Sequence, residues 1–292
     1  PYHAGTSALV AEAILKAISY CGLPKEIFSH LGGVSHRIGG ELVSHPFLKG
    51  VGFTGSLSGG KALYDLAQKR EEPIPVFAEM GSVNPILITE KRLLTDKNLS
   101  ETLANSIAQG TGQFCTNPGM IILCDPQRIS KITSKVIDHL SKMILPPMVH
   151  INIEKNYLQQ LDKLQENEAV KLLRTSSSNS AIGVVSAEDV LKNKKLTEEI
   201  FGPFSLFVEC KSMNQLKDLV KIIPGQLTAT ILAHKDDHSE IVPLVTQLKN
   251  KVGRLLFEGV PTGVAVKQAM QHGGPYPAST DGRYTSIGTD AI

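Results

Sequence analysis

Short apolar runs alternate with helix-period segments along this chain, and that alternation is what most limits its fold. A strand-like run over 47–53 leads into Thr54-Gly55-Ser56-Leu57-Ser58-Gly59-Gly60, then a helical stretch with Ala62, Leu63, Leu66 and Ala67, then a second strand over 74–78. Strand, helix, strand in this order predicts a parallel βαβ unit. Further strands are predicted over 86–89, 120–124, 182–185, 204–208, 228–232 and 255–257. Helices are predicted over 6–21, capped by Thr6 or Ser7, over 98–112, and over 239–249. Asp125-Pro126 supplies a cap and a first-turn proline for another helix, whose apolar face is Ile129, Ile132, Val136, Ile137 and Leu140. Residues 174–180 read as a polar surface loop, and 145–173 carry little recognisable pattern.

With 292 residues, two domains are expected. At 41% hydrophobic and 20% charged residues the chain can bury a sizeable core, which excludes disordered and collagen-like classes. The 30 basic residues nearly balance the 28 acidic ones, which argues against a nucleic-acid or anionic-membrane surface. No apolar run approaches the ~20 residues that span a bilayer. The four cysteines are too sparse for a disulfide framework, and the expectation is a cytoplasmic protein. Pro1 in place of an initiating Met predicts that the sequence begins inside a longer polypeptide.

Four segments can carry chemistry. Gly55, Ser56 and Gly60 lie between a strand and a helix, where backbone N–H groups can meet a phosphate; an ordinary tight turn fits equally well. Cys115 follows a helix in Gly112-Gln113-Phe114-Cys115-Thr116-Asn117-Pro118-Gly119 and is a candidate nucleophile, although most free cysteines are inert and buried. Cys21 and Cys124 fall on apolar faces and read as core, and Cys210 ends a strand. Glu79 ends a buried strand, where a carboxylate is costly unless paired or used, and where α/β sheets bind ligands. In Glu198-Glu199-Ile200-Phe201-Gly202-Pro203-Phe204, Glu199 can accept hydrogen bonds from sugar hydroxyls and Phe201 can pack on a ring. His234 and His238 read as solvated, and His272-Gly273-Gly274-Pro275-Tyr276-Pro277 as a rigid loop of open role. No cysteine–histidine spacing suits zinc, so no metal is expected.

In this order, Phe53-Thr54-Gly55-Ser56…Gly60, Glu79-Met80-Gly81-Ser82-Val83-Asn84-Pro85, Gly112-Gln113-Phe114-Cys115 and Glu199-Ile200-Phe201-Gly202-Pro203 resemble the signatures of the aldehyde dehydrogenase superfamily across essentially the whole chain. Tyr2-His3-Ala4-Gly5-Thr6-Ser7, Pro261-Thr262-Gly263-Val264 and the 272–278 segment resemble the branch containing 2,5-dioxopentanoate and NADP-dependent fatty aldehyde dehydrogenases. The resemblance implies an α/β fold: the C-terminal half of a Rossmann-like nucleotide-binding domain over residues 1–80, and a catalytic domain over 81–292. It implies that Cys115 attacks the aldehyde, giving a thiohemiacetal and then a thioester, and that Glu79 activates the hydrolytic water. It also implies that Gly55, Ser56 and Gly60 line the pyrophosphate path, that the Met80 backbone meets the nicotinamide amide, and that Glu199 and Phe201 hold the nicotinamide ribose.

The chain departs from the family pattern at several places. The family's active-site Asn, its adenine-ribose Lys and its C-terminal oligomer segment are absent from these residues. Pro1 falls where many NAD-preferring relatives carry a Glu, which favours NADP, with NAD the alternative; Glu258 stands where relatives show Asn. The resemblance thus implies oxidation of 2,5-dioxopentanoate to 2-oxoglutarate, or of a long-chain aldehyde, by a homodimeric or homotetrameric parent, with this piece inactive alone. Two further alternatives are an acyl-transferring enzyme that uses CoA and a non-enzymatic binding module.

Overall fold

The computed structural model describes residues 3–33, 35–263 and 265–284. Helices α1 (Ala4–Tyr20) and α2 (His36–Ser44) precede a small βαβ unit: β1 (Val51–Thr54), α3 (Leu57–Gln68) and β2 (Val76–Glu79). The two strands pair in parallel, with Val51 opposite Val76 and Thr54 opposite Glu79. Ser56 starts α3 as its cap, its side chain accepting from the Gly59 N–H at 3.2 Å. Val43, Ala67, Ile74, Val76, Ala78 and Met80 form the core of this unit.

The chain then enters a larger sheet. In order come β3 (Ile86–Ile88), α4 (Glu90–Thr95), α5 (Leu99–Ala108), β4 (Met120–Leu123), α6 (Pro126–Ser141), α7 (Ile151–Gln165), β5 (Lys171–Arg174), β6 (Ala181–Ser186) and α8 (Ala187–Lys192). These are followed by β7 (Phe204–Glu209), α9 (Met213–Ile222), β8 (Gln226–Leu232), α10 (His238–Leu248) and β9 (Val252–Leu256). The seven strands lie in the order β5-β6-β7-β4-β3-β8-β9, and every pairing is parallel except that of β5 with β6. A parallel sheet must be covered on both faces, and β4 and β8 are accordingly buried along their whole lengths. One face packs Leu87, Met120, Ile122 and Leu206 against α7 and α9; the other packs Ile86, Ile121, Leu123 and Phe207 against α5 and α6. Each such fully buried side chain contributes about 1.5–3 kcal/mol. α6 presents Ile129, Ile132, Val136 and Leu140 to that core, as its spacing predicts, and Asp125 caps it.

Several local expectations shift. The first helix starts at Ala4 rather than at a Thr6 or Ser7 cap, because His3 occupies the cap position. Cys21 is exposed, beyond the last turn of α1. The helix predicted over 98–112 ends at Ala108, because Gly110, Thr111 and Gly112 turn left-handed at φ 59°, 56° and 67°. The featureless 145–173 stretch holds α7 and β5. The 174–180 loop is not wholly a surface feature: Thr175 and Ser180 are buried and bonded to each other. Pro1, Tyr2 and Val264 lie outside the described residues.

Candidate active site

The site forms where the carboxyl end of β2 meets the amino ends of β3, β4, β8 and β9. Glu79 is the last residue of β2, and the segment after it is locked in place by a buried polar network. The Gln226 Oε1 accepts from the Val83 N–H at 2.7 Å and the Asn84 N–H at 3.2 Å, and lies 2.9 Å from the Ser82 hydroxyl. Asn84, at φ 45°, donates through Nδ2 to the carbonyls of Ser82, Cys115 and Asn117 and accepts from the Thr228 hydroxyl. Each of these groups is satisfied inside the protein, where an orphan would cost about 1–3 kcal/mol. Asn84 thereby holds the backbone of Cys115 directly, through a 2.9 Å bond to its carbonyl.

Cys115 reaches its place through the left-handed run before it. A Cβ on Gly112 would fall 2.1–2.3 Å from the Gly202–Pro203 backbone, so no other residue fits there. Thr111 is β-branched at positive φ, a strained state held by burial and by a 2.9 Å bond from its hydroxyl to the Pro146 carbonyl.

His272 completes the cluster. Its Nε2 lies 3.3 Å from Cys115 Sγ and 3.2 Å from Glu79 Oε1. Its loop is zipped onto β2: the Met80 N–H donates to the Ala278 carbonyl at 2.7 Å, the Thr280 N–H donates to the Ala78 carbonyl at 3.0 Å, and Glu79 and Ser279 form a bridge. The glycines let this loop lie flat on the sheet, since a Cβ on Gly274 would meet the Gln226 carbonyl at 2.2 Å.

Burial, reinforced by the Glu79 carboxylate, pushes the Cys115 thiol up to about 12. A thiol so placed needs a proton acceptor, and His272 is in contact. Burial pushes Glu199 up to about 7, against the pull of the Ser82 N–H, which its Oε1 accepts at 3.4 Å. Its other oxygen lies so close to Gly81 that a Cβ there would approach to 2.5 Å.

Cys115 and Glu79 thus come together, and Glu199 and Met80 stand at the same turn. The Met80 N–H is taken by Ala278, so a ligand meeting this backbone would use the carbonyl. Gly60 packs on Met80, a Cβ there falling 2.6 Å from its Sδ. Gly55 and Ser56 are exposed at the start of α3, and Phe201 is half-buried. Glu258 does not join the cluster; it is exposed and pairs with Arg92 at 3.1 Å. His234 caps the turn before α10 rather than standing in solvent.

Sequence spacing offers no reason to join Cys115 to His272, 157 positions away. Gln226 and Asn84 escape it for the same reason. So does Arg254 on β9, a half-buried guanidinium whose Nε and Nη2 are shielded from solvent and have no hydrogen-bond acceptor. Arg254 pairs in register with Thr228, whose hydroxyl bonds Asn84, so the row leads across the sheet toward Cys115.

An aldehyde dehydrogenase family model matches residues 3–274. The chain belongs to the aldehyde dehydrogenase family. Within it, the chain is 40% identical to an alpha-ketoglutaric semialdehyde dehydrogenase of Acinetobacter baylyi and 38% identical to alpha-ketoglutaric semialdehyde dehydrogenase 2 of Azospirillum brasilense. Both matches cover 99% of this chain but only 56% and 57% of those aldehyde dehydrogenases, so the chain spans little more than half their length. The same fold occurs in a mutant of proline utilization A from Bradyrhizobium japonicum (TM-score 0.78, 19% identity, 94% of this chain and 28% of that one). It occurs too in a 1-pyrroline-5-carboxylate dehydrogenase from Thermus with bound NAD (TM-score 0.69, 22% identity, 87% and 51%). The α/β class with a largely parallel sheet is as the alternation predicts. No helix among the described residues is long and apolar enough to cross a membrane.

Proposed function

We propose that the full polypeptide oxidises an aldehyde to a carboxylic acid through a covalent adduct on Cys115. The observation that carries this is the contact of one imidazole with both a thiol and a carboxylate, Cys115–His272–Glu79 at 3.3 and 3.2 Å. His272 Nε2 takes the thiol proton as Sγ adds to the aldehyde carbonyl, giving a thiohemiacetal. The Cys115 backbone N–H stabilises the oxyanion. Glu79 then takes a proton from the water that hydrolyses the thioester, releasing the acid and the thiol.

The two-electron oxidation between these steps belongs to a nicotinamide dinucleotide, which accepts hydride when bound. The residues present fit such a group. Residues 55–58 are exposed at the start of a twelve-residue helix, whose first N–H groups lack intrahelical partners. In this reading Gly55, Ser56 and Gly60 line the pyrophosphate path, with residues 1–80 as the back half of the nucleotide unit. Glu199 and Phe201 hold the ribose, and Met80 meets the amide. The preference for NADP over NAD rests on Pro1, where a ribose-binding carboxylate is lacking.

The substrate is an oxo acid, 2,5-dioxopentanoate, with 2-oxoglutarate as product. The names of the two relatives support this, and so does Arg254. Two shielded guanidinium nitrogens without an acceptor, Nε and Nη2, are costly, and the planar fork matches a carboxylate. A long-chain aldehyde offers it nothing. The parent is a homodimer or homotetramer.

The test is NADP reduction by the full-length enzyme with 2,5-dioxopentanoate, alongside alkyl aldehydes. Arg254→Met should raise KM for the oxo acid by at least about tenfold, one charge-assisted hydrogen bond's worth, and leave that for hexanal unchanged. A steady-state requirement for CoA would replace hydrolysis with acyl transfer. NADP binding without turnover of any aldehyde would make the protein a binding module.

A further inference from the structure

The three reacting side chains also have the composition and spacing of a metal site. Thiolate, imidazole and carboxylate are the donors zinc takes, and three protein ligands with an open fourth position is its arrangement wherever a fourth ligand exchanges. Ligand atoms of Glu79, Cys115 and His272 all lie within 4.8 Å of one another, and no other group of three or more such residues occurs among the described residues. Bond lengths of about 2.3 Å to sulfur, 2.0–2.1 Å to nitrogen and 2.0–2.2 Å to oxygen put tetrahedral ligands about 3.5 Å apart for S···N and 3.3 Å for N···O. The observed separations are 3.3 and 3.2 Å. These two pairs stand within a few tenths of an ångström of that geometry, and the third, sulfur to carboxylate oxygen, lies within 4.8 Å, so a shift of the carboxylate toward the thiol admits the ion.

The surroundings hold the three donors in place. Asn84 fixes the Cys115 backbone, the Ser279 bridge fixes Glu79, and the glycine-flanked loop fixes His272. Rigid support of this kind orients metal ligands as effectively as it orients reacting groups. Cys115 is half-buried rather than sealed, so an ion has a way in.

We propose that Cys115, His272 and Glu79 form an open three-ligand zinc site that reversibly blocks the enzyme. On binding, a Zn–S bond replaces the S–H bond and one proton is released; the imidazole nitrogen and the carboxylate oxygen coordinate without a change of oxidation state. Sulfur in that state cannot add to a carbonyl, and Glu79 cannot take a proton from water. The inference rests on ligand geometry and not on the aldehyde chemistry, so it is read without aldehyde or cofactor.

The experiment uses the full-length protein. Zinc chloride is titrated into apo-protein while the alkylation of Cys115 by iodoacetamide is followed by peptide mass spectrometry. One equivalent of zinc should slow alkylation at least tenfold, EDTA should restore it, and magnesium at the same concentration should do nothing. Cobalt in place of zinc should give a near-ultraviolet thiolate-to-metal band, absent in Cys115→Ser. His272→Gln and Glu79→Gln, checked for native circular dichroism, should each weaken zinc binding by more than the roughly 10–100-fold that loss of a supporting contact costs. Unchanged alkylation under saturating zinc overturns the proposal, as does undiminished stoichiometric binding by Cys115→Ser or equal protection by magnesium. The alkylation arm needs no variant, so a variant that misfolds does not decide the matter.

Discussion

Two turns leave the same edge of the small sheet and meet opposite fates. β1 and β2 are parallel neighbours, with Thr54 beside Glu79. After Thr54 the chain turns through exposed residues 55–58 into α3; its side-chain contacts are local, Ser56 to Gly59 and Ser58, and among the described residues only the Gly55 N–H reaches across, to the Glu79 carbonyl at 3.1 Å. After Glu79 it dives under the larger sheet, where residues 82–85 are buried and Gln226, Thr228 and Asn117 bond to them from 33 to 144 positions away. The first turn offers backbone groups to whatever comes from outside. The second fixes side chains relative to one another. A site that binds a diffusible ligand and reacts through a few atoms needs both: an open approach for the ligand and fixed positions for the reacting groups.

The contrast can be broken first at the buried turn. Cys115→Ala should lower turnover of the full-length enzyme by at least ~10³-fold, from the loss of a covalent nucleophile, and leave thermal unfolding within about 1 kcal/mol of the parent. Turnover that survives would remove Cys115 from the chemistry. Gln226→Leu strips the shared acceptor from Ser82, Val83 and Asn84 and should cost at least ~3 kcal/mol in urea unfolding. A loss under 1 kcal/mol would mean that the turn is not held as described.

The same deletion at the open turn should matter less. Ser56→Ala removes one helix cap and should cost about 1 kcal/mol, with no effect on the alkylation rate of Cys115. Glu199, at the Gly81–Ser82 turn, shows in the slope of stability with pH. Its carboxyl titrates near 7 in the fold against 4.5 in the open chain, so the folded state holds its proton to higher pH. Stability from this group is therefore greatest below about pH 4.5 and declines until about pH 7. Glu199→Gln should flatten that decline in thermal melts, and an unaltered slope would place the pH dependence elsewhere.

The sequence reveals the segments of this site far better than their meeting. Phe53 to Gly60 and Ile74 to Glu79 are readable because strand period, glycine and helix period follow one another locally. Cys115 stands out by its turn-rich setting, and Glu79 by a charge at a strand end. The partners are another matter. His272, Gln226 and Arg254 look like any loop histidine, strand-start glutamine or strand arginine until parallel pairing brings them in, and pairing across 142 to 193 positions leaves no local trace. The break in the predicted 98–112 helix was half legible: Gly110 and Gly112 announce it, but Thr111 at positive φ follows from packing alone.

The strap over 272–280 has a consequence for how the protein comes into being. Glu79 leaves a ribosome well before its partners do: its bridge to Ser279 and its contact with His272 wait for a segment about two hundred residues later. Contacts of such separation close last, after the strands between them have paired. Over that stretch of synthesis the nascent chain carries its carboxylate, and then its thiol, without the imidazole that joins them. Reactivity is switched on by the docking of this strap rather than accumulated during growth.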